Sequence, residues 1–586
     1  MSENKNKSRS LKKTIILILK ISLVVGVSLS WILIFIDFNV LINNTYQNLW
    51  IKGPSIIEED EPFYLYVEVW DEYERLSYNY IGEIDIQIES YKINNTVYNP
   101  IINTNWTISS VDFTFDRNDN GKKVFNISIS TRGIHFFRVI EKNTGEMFRS
   151  NPIIVNPRGT DFERLYWGDI HSHTSYSDGS GLPNGVYSFA RDVALLDFAA
   201  LTEHSEIFPQ FGTQDLFNKF RNYIDVTNNY NQDGRFTTLI ALEWTPLLGN
   251  ARSYLCNQHM NFYFSGNNMP FFSSFTHFTP DEIYQYLHEN LDNNNKYMAW
   301  THHVLREDYG SDYAFYNESI NRMIEIFSVH GCGEFVDPNL NPYPTTHSFP
   351  NNTHGYSIND ALKMGRKFGI MASSDSHDGR MGHPIVHTEA RGALHVQPFS
   401  ISVYKFGSYP GGLTGLFSRN LTRKSVYESL WNRSAYGTSW INRHYLNFSI
   451  NGVRIGQEDS TVSVADENSS RFLEITVIAD GISKKANLRT NISKIEIFKN
   501  SELWMTEEVN DIIYHKTIED NQTITGASYD NCIQKDDGNW YIHERSVKPV
   551  DPTTLNTGGA DYYYIRMTDS SHGLGWIGPI WVEPVS

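Results

Sequence analysis

Residues 369–377 read GIMASSDSH, an apolar run that closes on Asp375, Ser376 and His377. Four other runs share its form: FAALTEH (198–204), TTLIALEW (237–244), YMAWTHH (297–303) and MIEIFSVHG (323–331). Each has the length and apolar make-up of a buried strand, and each carries His, Glu or Asp at its end. Helical stretches lie between them at 184–195, 280–290 and 357–367, the last opening with Ser357 and Asp360 at capping-box spacing. Strands alternating with helices imply an α/β layer or barrel. In α/β folds, ligands bind beyond the carboxyl ends of the strands. The residues that close these five runs are therefore the candidate site.

His171-Ser172-His173 follows the strand-like LYWGDI (165–170). On extended backbone, residues two apart point the same way, so both imidazoles can address one ion. Asp375 and His377 repeat that spacing. Adjacent strand residues face opposite sides, which allows only one of Glu203 and His204 into the site, and His204 is the choice. Glu243 closes LIALEW, and His259 opens the next strand, HMNFYF. His302 and His303 pose the same alternative, resolved in favour of His302. One histidine at a strand end is more often a hydrogen-bonded surface residue. Seven or eight together, mixed with Asp178, Glu243 and Asp375, would be costly to bury without a compensating cation. Nitrogen and oxygen donors with no thiolate suit zinc, manganese or iron.

The composition sets further bounds. A chain of 586 residues is several domains long, and 40% hydrophobic residues suffice for real cores. A net charge of −18 argues against general nucleic-acid binding, which needs basic surface. Three cysteines, Cys256, Cys332 and Cys532, give no disulfide framework and read as ordinary small residues. Lys5, Lys7, Arg9, Lys12 and Lys13 precede the apolar run 14–36. Its length and basic flank predict a retained transmembrane anchor with the N-terminus cytoplasmic and the bulk of the chain outside. Sequons such as those at Asn105, Asn126, Asn420 and Asn447 agree with that location.

On either side of the central region the period falls to two. FYLYVEVWD, EIDIQIES, KVFNISIS and IHFFRVIE predict an immunoglobulin-like β-sandwich over 50–156. YLNFSINGV, RFLEITVIA, KIEIFKN and DYYYIRMTD predict a second sandwich over 445–586. The expected order is a basic tail (1–13), an anchor (14–36), the first sandwich, a hydrolase domain (161–440) and the second sandwich.

HSHTSYSDG, LTEH, the Glu243…His259 pair, THH and SSDSH, in this order, resemble the successive motifs of the PHP (polymerase and histidinol phosphatase) superfamily. The segment from Gly411 through Gly456 and the ending YYYIRMTDSSHGLGWIGPIWVEP resemble a large uncharacterised PHP-like family. The resemblance implies a distorted (β/α)7 barrel holding two or three divalent metal ions. It assigns His171, His173, Glu243 and Asp375 to a first ion, and Glu243, His259 and His302 to a second. The third would take Asp178, His204 and His377. The chain departs from the pattern at Glu203, where the superfamily often has aspartate, and at Asp178, where some members have histidine.

The expected activity is phosphoester hydrolysis of a small-molecule or polymer substrate by a metal-bridging hydroxide, with Glu243 as the bridging carboxylate. His330 and Glu203 are candidate proton carriers to the leaving group, and Arg306 and Arg380 could grip a phosphate oxygen. Two alternatives are a metallohydrolase of amides or other esters and a non-catalytic metal-containing surface protein.

Overall fold

The computed structural model describes residues 46, 48–71, 74–94, 97–206, 213–246, 258–345, 348–350, 352–384, 409–483 and 485–585. The alternating N-terminal runs form two sheets around one core. One sheet orders Asn48–Lys52, Phe63–Trp70, Lys122–Ile129 and Trp106–Ile108. The other is built on Ile153–Asn156, Gly133–Glu141 and Gly82–Asn94. Ile51, Leu65, Val67, Phe125 and Ile127 from the first meet Ile84, Phe137 and Val139 from the second. Inward apolar and outward polar residues alternate because successive side chains leave a strand on opposite faces.

The expected (β/α)7 barrel is not formed. A parallel barrel needs each strand to reach a parallel neighbour through a crossover of a dozen or more residues, usually helical. Among the described residues there are five α-helices, and the central strands divide among three sheets with much antiparallel pairing. Arg164–Asp169, Phe198–Ala199 and Thr237–Thr238 do run parallel. Ile240–Trp244, Met260–Phe264 and Tyr297–Thr301 instead make an antiparallel meander. Met323–Ser328 pairs parallel with Gly369–Ala372 in a third, separate sheet. Arg164–Asp169 also pairs antiparallel with Gly412–Ser418, which leads through Ala435–Ser439 into the C-terminal strands Leu574–Pro584, Asp561–Asp569, Ile492–Lys499 and Glu502–Asp511. The strands that lead to His171 and His204 thus share one hydrogen-bonded sheet with the C-terminal strands, while those at Glu243, His302 and Asp375 lie in the other two.

The expected single-pass membrane anchor is corrected as well. Among the described residues no helix is long and apolar enough to cross a membrane. The 18-residue helix Thr213–Tyr230 carries Asp215, Lys219, Arg221 and Asp225, too many charges for a bilayer core. The tail 1–13 and the run 14–36 lie outside the described residues.

Buried aromatic residues align the strand ends. Tyr263 stacks on Trp300 with ring centroids 4.3 Å apart and donates from its hydroxyl to the Ile170 carbonyl at 2.8 Å. Such a ring pair contributes about 0.5–1.5 kcal/mol beyond its buried area. The contact sets the meander against the backbone immediately before His171. The Tyr223 hydroxyl sits between the Leu201 and Ala241 carbonyls, at 2.8 and 2.7 Å, and so registers the strand ends that carry His204 and Glu243. The capping box at Ser357 forms, with both reciprocal hydrogen bonds to Asp360, and starts the helix Ile358–Lys363.

Candidate metal centre

The three central sheets converge at their strand ends, where backbone hydrogen bonds tie the loops together. His173 N donates to Ser376 O at 2.9 Å, and Asp375 N donates to His171 O at 2.8 Å. Thr202 N donates to Ser172 O, and Ser205 N to Glu243 O, both at 2.9 Å. Asp169 adds a buried brace: its carboxylate accepts from the backbone N–H groups of His171, Ser374 and Gly382. Burial pushes the Asp169 carboxyl up to about 6.

Glu243 stands at the middle, fully buried. Its Oε2 lies 3.2 Å from His171 Nε2 and 3.3 Å from His173 Nε2. Its Oε1 lies 3.2 Å from His204 Nδ1, 2.9 Å from His259 Nδ1 and 3.3 Å from His302 Nε2. Asp375 Oδ1 is 3.2 Å from Nε2 of both His171 and His173. Asp178 Oδ1 is 3.5 Å from His204 Nε2 and 3.3 Å from His377 Nε2. Every metal-ligand position read from the sequence therefore falls in one cluster. Its donors form several groups within 4.8 Å of one another, among them His171–His173–Asp375, His204–Glu243–His259 and His173–Asp178–His204–His377.

The charge pattern is that of a site built for cations. Burial works against ionising Glu243 and Asp375, yet the neighbouring imidazoles hold both carboxyls well below the usual range. Burial opposes charging His204 and His377 as well, but Glu243 and Asp178 lift the first to about 10, and Asp178 lifts the second to about 9. Protons on these rings supply the positive charge that divalent ions would provide, which is how metal binding couples to proton release. His259 is pushed down to about 4, chiefly by burial, so the neutral ring keeps one nitrogen lone pair free to bind an ion. His173, His259 and His302 approach the Glu243 or Asp375 oxygens, yet none of their buried ring nitrogens makes a well-aligned hydrogen bond. Buried polar atoms are rarely left unpaired. Metal ligation satisfies all three rings, so the residues fit divalent ions.

The two expected proton carriers each make defined contacts, Glu203 with the neighbouring loop and His330 with Asp375. Glu203 accepts from Thr174 N, Thr174 Oγ1 and Ser177 Oγ, and so holds the loop that carries Asp178. His330 lies between Arg306 Nη1, 3.1 Å from its Nδ1, and Asp375 Oδ2, 3.1 Å from its Nε2. An arginine N–H can only donate, so Nδ1 accepts and the proton sits on Nε2, facing Asp375. Arg380 donates to the His383 and Glu74 carbonyls rather than facing the cluster. Cys332 packs in an apolar core, and Cys256 lies outside the described residues.

Glu325 and Asp169 were missed in the sequence, and His303 was set aside in favour of His302. Glu325 Oε2 is 2.7 Å from His171 Nδ1, the carboxylate–imidazole contact that orients metal-binding histidines. A charge in the middle of the apolar run MIEIFS was the available signal. His303 turns inward beside His302, its ring 4.2 Å away. The alternation rule did not apply there because the strand ends at Thr301 and His303 adopts a left-handed φ of 35°.

Comparison with known proteins gives the following. A family model described as a protein of unknown function (DUF3604) matches residues 188–336. Uncharacterized proteins of Chlamydia pneumoniae and Chlamydia trachomatis are 22% and 21% identical to the chain, over 92% of its length and 74% of theirs. Among solved structures, a two-domain protein from Bacteroides vulgatus containing a predicted PHP-like metal-dependent phosphoesterase is similar, with a TM-score of 0.31 and 14% identity. That similarity covers 68% of this chain and 96% of the other. None of these similarities assigns a role to a residue of the chain.

Proposed function

We propose that the chain is a metal-dependent hydrolase and that its substrates are phosphoesters. The observation that carries this reading is Glu243: a buried carboxylate within 3.3 Å of five imidazoles that come from four strand ends. Divalent ions held there would activate water near neutral pH and stabilise charge on an attacked phosphoryl oxygen.

The chain's own residues divide the remaining tasks. His171, His173, Glu243 and Asp375 would hold one ion, His259 and His302 with Glu243 a second, and Asp178, His204 and His377 a third. Glu325 fixes the His171 ring, and His330 keeps its proton on Nε2 to steady Asp375. Arg306 sets the His330 tautomer and brings a permanent positive charge to the same edge of the site. Several cations beside a guanidinium suit an anionic tetrahedral phosphoryl group better than a neutral amide.

The test uses the purified chain, stripped with a chelator and reloaded with Zn²⁺ or Mn²⁺. Aryl phosphomonoesters and phosphodiesters are compared with aryl esters and anilides. Phosphoester turnover that returns only with metal is the expected result. Faster turnover of the esters or anilides, or no metal-dependent turnover of any substrate, rejects the proposal.

A further inference from the structure

The ligand sets above use one histidine from the pair that follows Tyr297–Thr301, and His303 is left over. Its surroundings do not suit an idle residue. His303 is 6% exposed, beside His259 at 5% and His302 at 1%. Its ring lies 4.8 Å from that of His259 and 4.2 Å from that of His302. One donor nitrogen from each of the three falls within 4.8 Å of the other two. Both nitrogens of His259, both of His302 and Nδ1 of His303 are buried and make no well-aligned hydrogen bond. The Tyr309 ring packs against two of the rings, 4.1 Å from His259 and 5.5 Å from His303.

The backbone points the same way. His303 holds a left-handed φ of 35°, a conformation that costs a non-glycine residue of order 1–3 kcal/mol and persists where the surroundings over-determine it. Without that turn, strand alternation would send His303 to the opposite face from His302.

We infer that His303 is a metal ligand that joins His259 and His302 beside Glu243, so that three imidazoles make this position more selective for zinc-type ions over manganese, magnesium or calcium than the others. This rests on the metal-centre reading above and deepens it. Imidazole nitrogen suits zinc, copper and nickel, whereas hard oxygen-preferring cations need carboxylates. Zinc bonds of about 2.0–2.1 Å in a tetrahedral arrangement would draw the three nitrogens to roughly 3.3 Å from one another. The other groups each carry a carboxylate, from Asp375, Asp178 or Glu243, so they can accept manganese or iron. The centre is thereby graded: one position rich in nitrogen, the others mixed.

The experiment counts ions and their ligands independently of turnover. Wild type, His303→Asn and His303→Gln are stripped, reloaded with Zn²⁺ or Mn²⁺ and dialysed. Bound metal is measured by mass spectrometry, and imidazoles per zinc by X-ray absorption. Asparagine tolerates the left-handed backbone but is a poor zinc ligand, so His303→Asn removes the donor and spares the turn. Should that variant fail to fold, as judged by circular dichroism, His303→Gln and the imidazole count per zinc in the wild type report on the same donor. The expected result is loss of one zinc, or at least about a hundredfold weaker binding of it, with the Mn²⁺ count unchanged; outer-shell losses alone cost 10–100-fold. His303→Asn that keeps the wild-type zinc count, affinity and imidazole number overturns the inference while leaving the metal centre intact. Wild-type protein that binds no divalent ion overturns both.

Discussion

Replacing Glu243 with glutamine tests the centre where it is most constrained. The change conserves shape and removes one negative charge from a fully buried position. Five imidazole nitrogens lie 2.9 to 3.3 Å from that carboxylate, and both of its oxygens are used. An amide in its place turns an N–H₂ group toward ring nitrogens that must present lone pairs to an ion. Loss of an outer-shell partner alone weakens metal binding 10–100-fold. Loss of a carboxylate shared between ion positions should therefore cost at least about 100-fold, or roughly 2.8 kcal/mol at about 1.4 kcal/mol per tenfold. Metal content after dialysis, measured against a chromophoric chelator, should fall by at least one ion. Turnover of an aryl phosphate should drop at least about 10³-fold, consistent with the loss of a transition-state charge stabiliser. Far-UV circular dichroism should not change. Glu243→Gln with wild-type metal content and turnover would refute the central role of this carboxylate.

Three further outcomes follow from particular contacts. Glu325→Gln should weaken metal binding about 10–100-fold while the protein stays folded, because His171 loses the partner that orients its ring; unaltered affinity by competition titration would count against that role. His135 is fully buried in the N-terminal sandwich, donates from Nε2 to Thr131 O and accepts at Nδ1 from the Ser90 hydroxyl, and burial pushes it down to about 4. The unfolded chain binds its proton near 6.5, so this contribution is complete above that pH and is lost as pH falls toward 4, by up to about 3 kcal/mol. His135→Gln should flatten the fall of the denaturation midpoint between pH 7 and 4.5, and equal slopes in both proteins would dismiss the assignment. Glu334 accepts from Arg566, Trp576 and Tyr564 in the interior, so Glu334→Ala should destabilise by about 3 kcal/mol, the lower end for a broken buried pair because Glu496 still holds Arg566 Nε. A denaturant-midpoint shift corresponding to less than about 1 kcal/mol would show the network to be dispensable.

Much of the site was legible because its signal is local. Every ligand but Asp178 sits beside or at the end of a strand run, and burying so many imidazoles and carboxylates together needs a cation. The helix at Ile358–Lys363 was readable for a similar reason, since the Ser357–Asp360 capping pair is three residues long. The contacts of Glu203 were not legible, because adjacency on a strand says which face a side chain leaves from, but not what waits there. The 174–177 loop folds back to supply its donors. Glu325 and Asp169 escaped notice because their partners, His171 and Ser374, are over a hundred residues away in the chain.

Hydropathy period and residue chemistry by themselves determined that the chain alternates in strands at both ends, mixes strands with helices between them, and carries a histidine–carboxylate set suited to divalent ions. Tertiary structure alone decided how those strands pair. Ile240–Trp244, Met260–Phe264 and Tyr297–Thr301 pair as an antiparallel meander, and Gly412–Ser418 joins Arg164–Asp169 to the C-terminal strands, so no parallel barrel closes. It also decided that His302 and His303 both face inward. The reason is common to both: side-chain period is a property of one strand, whereas pairing partners and the backbone turn beyond a strand's last residue are set by contacts between segments far apart in sequence.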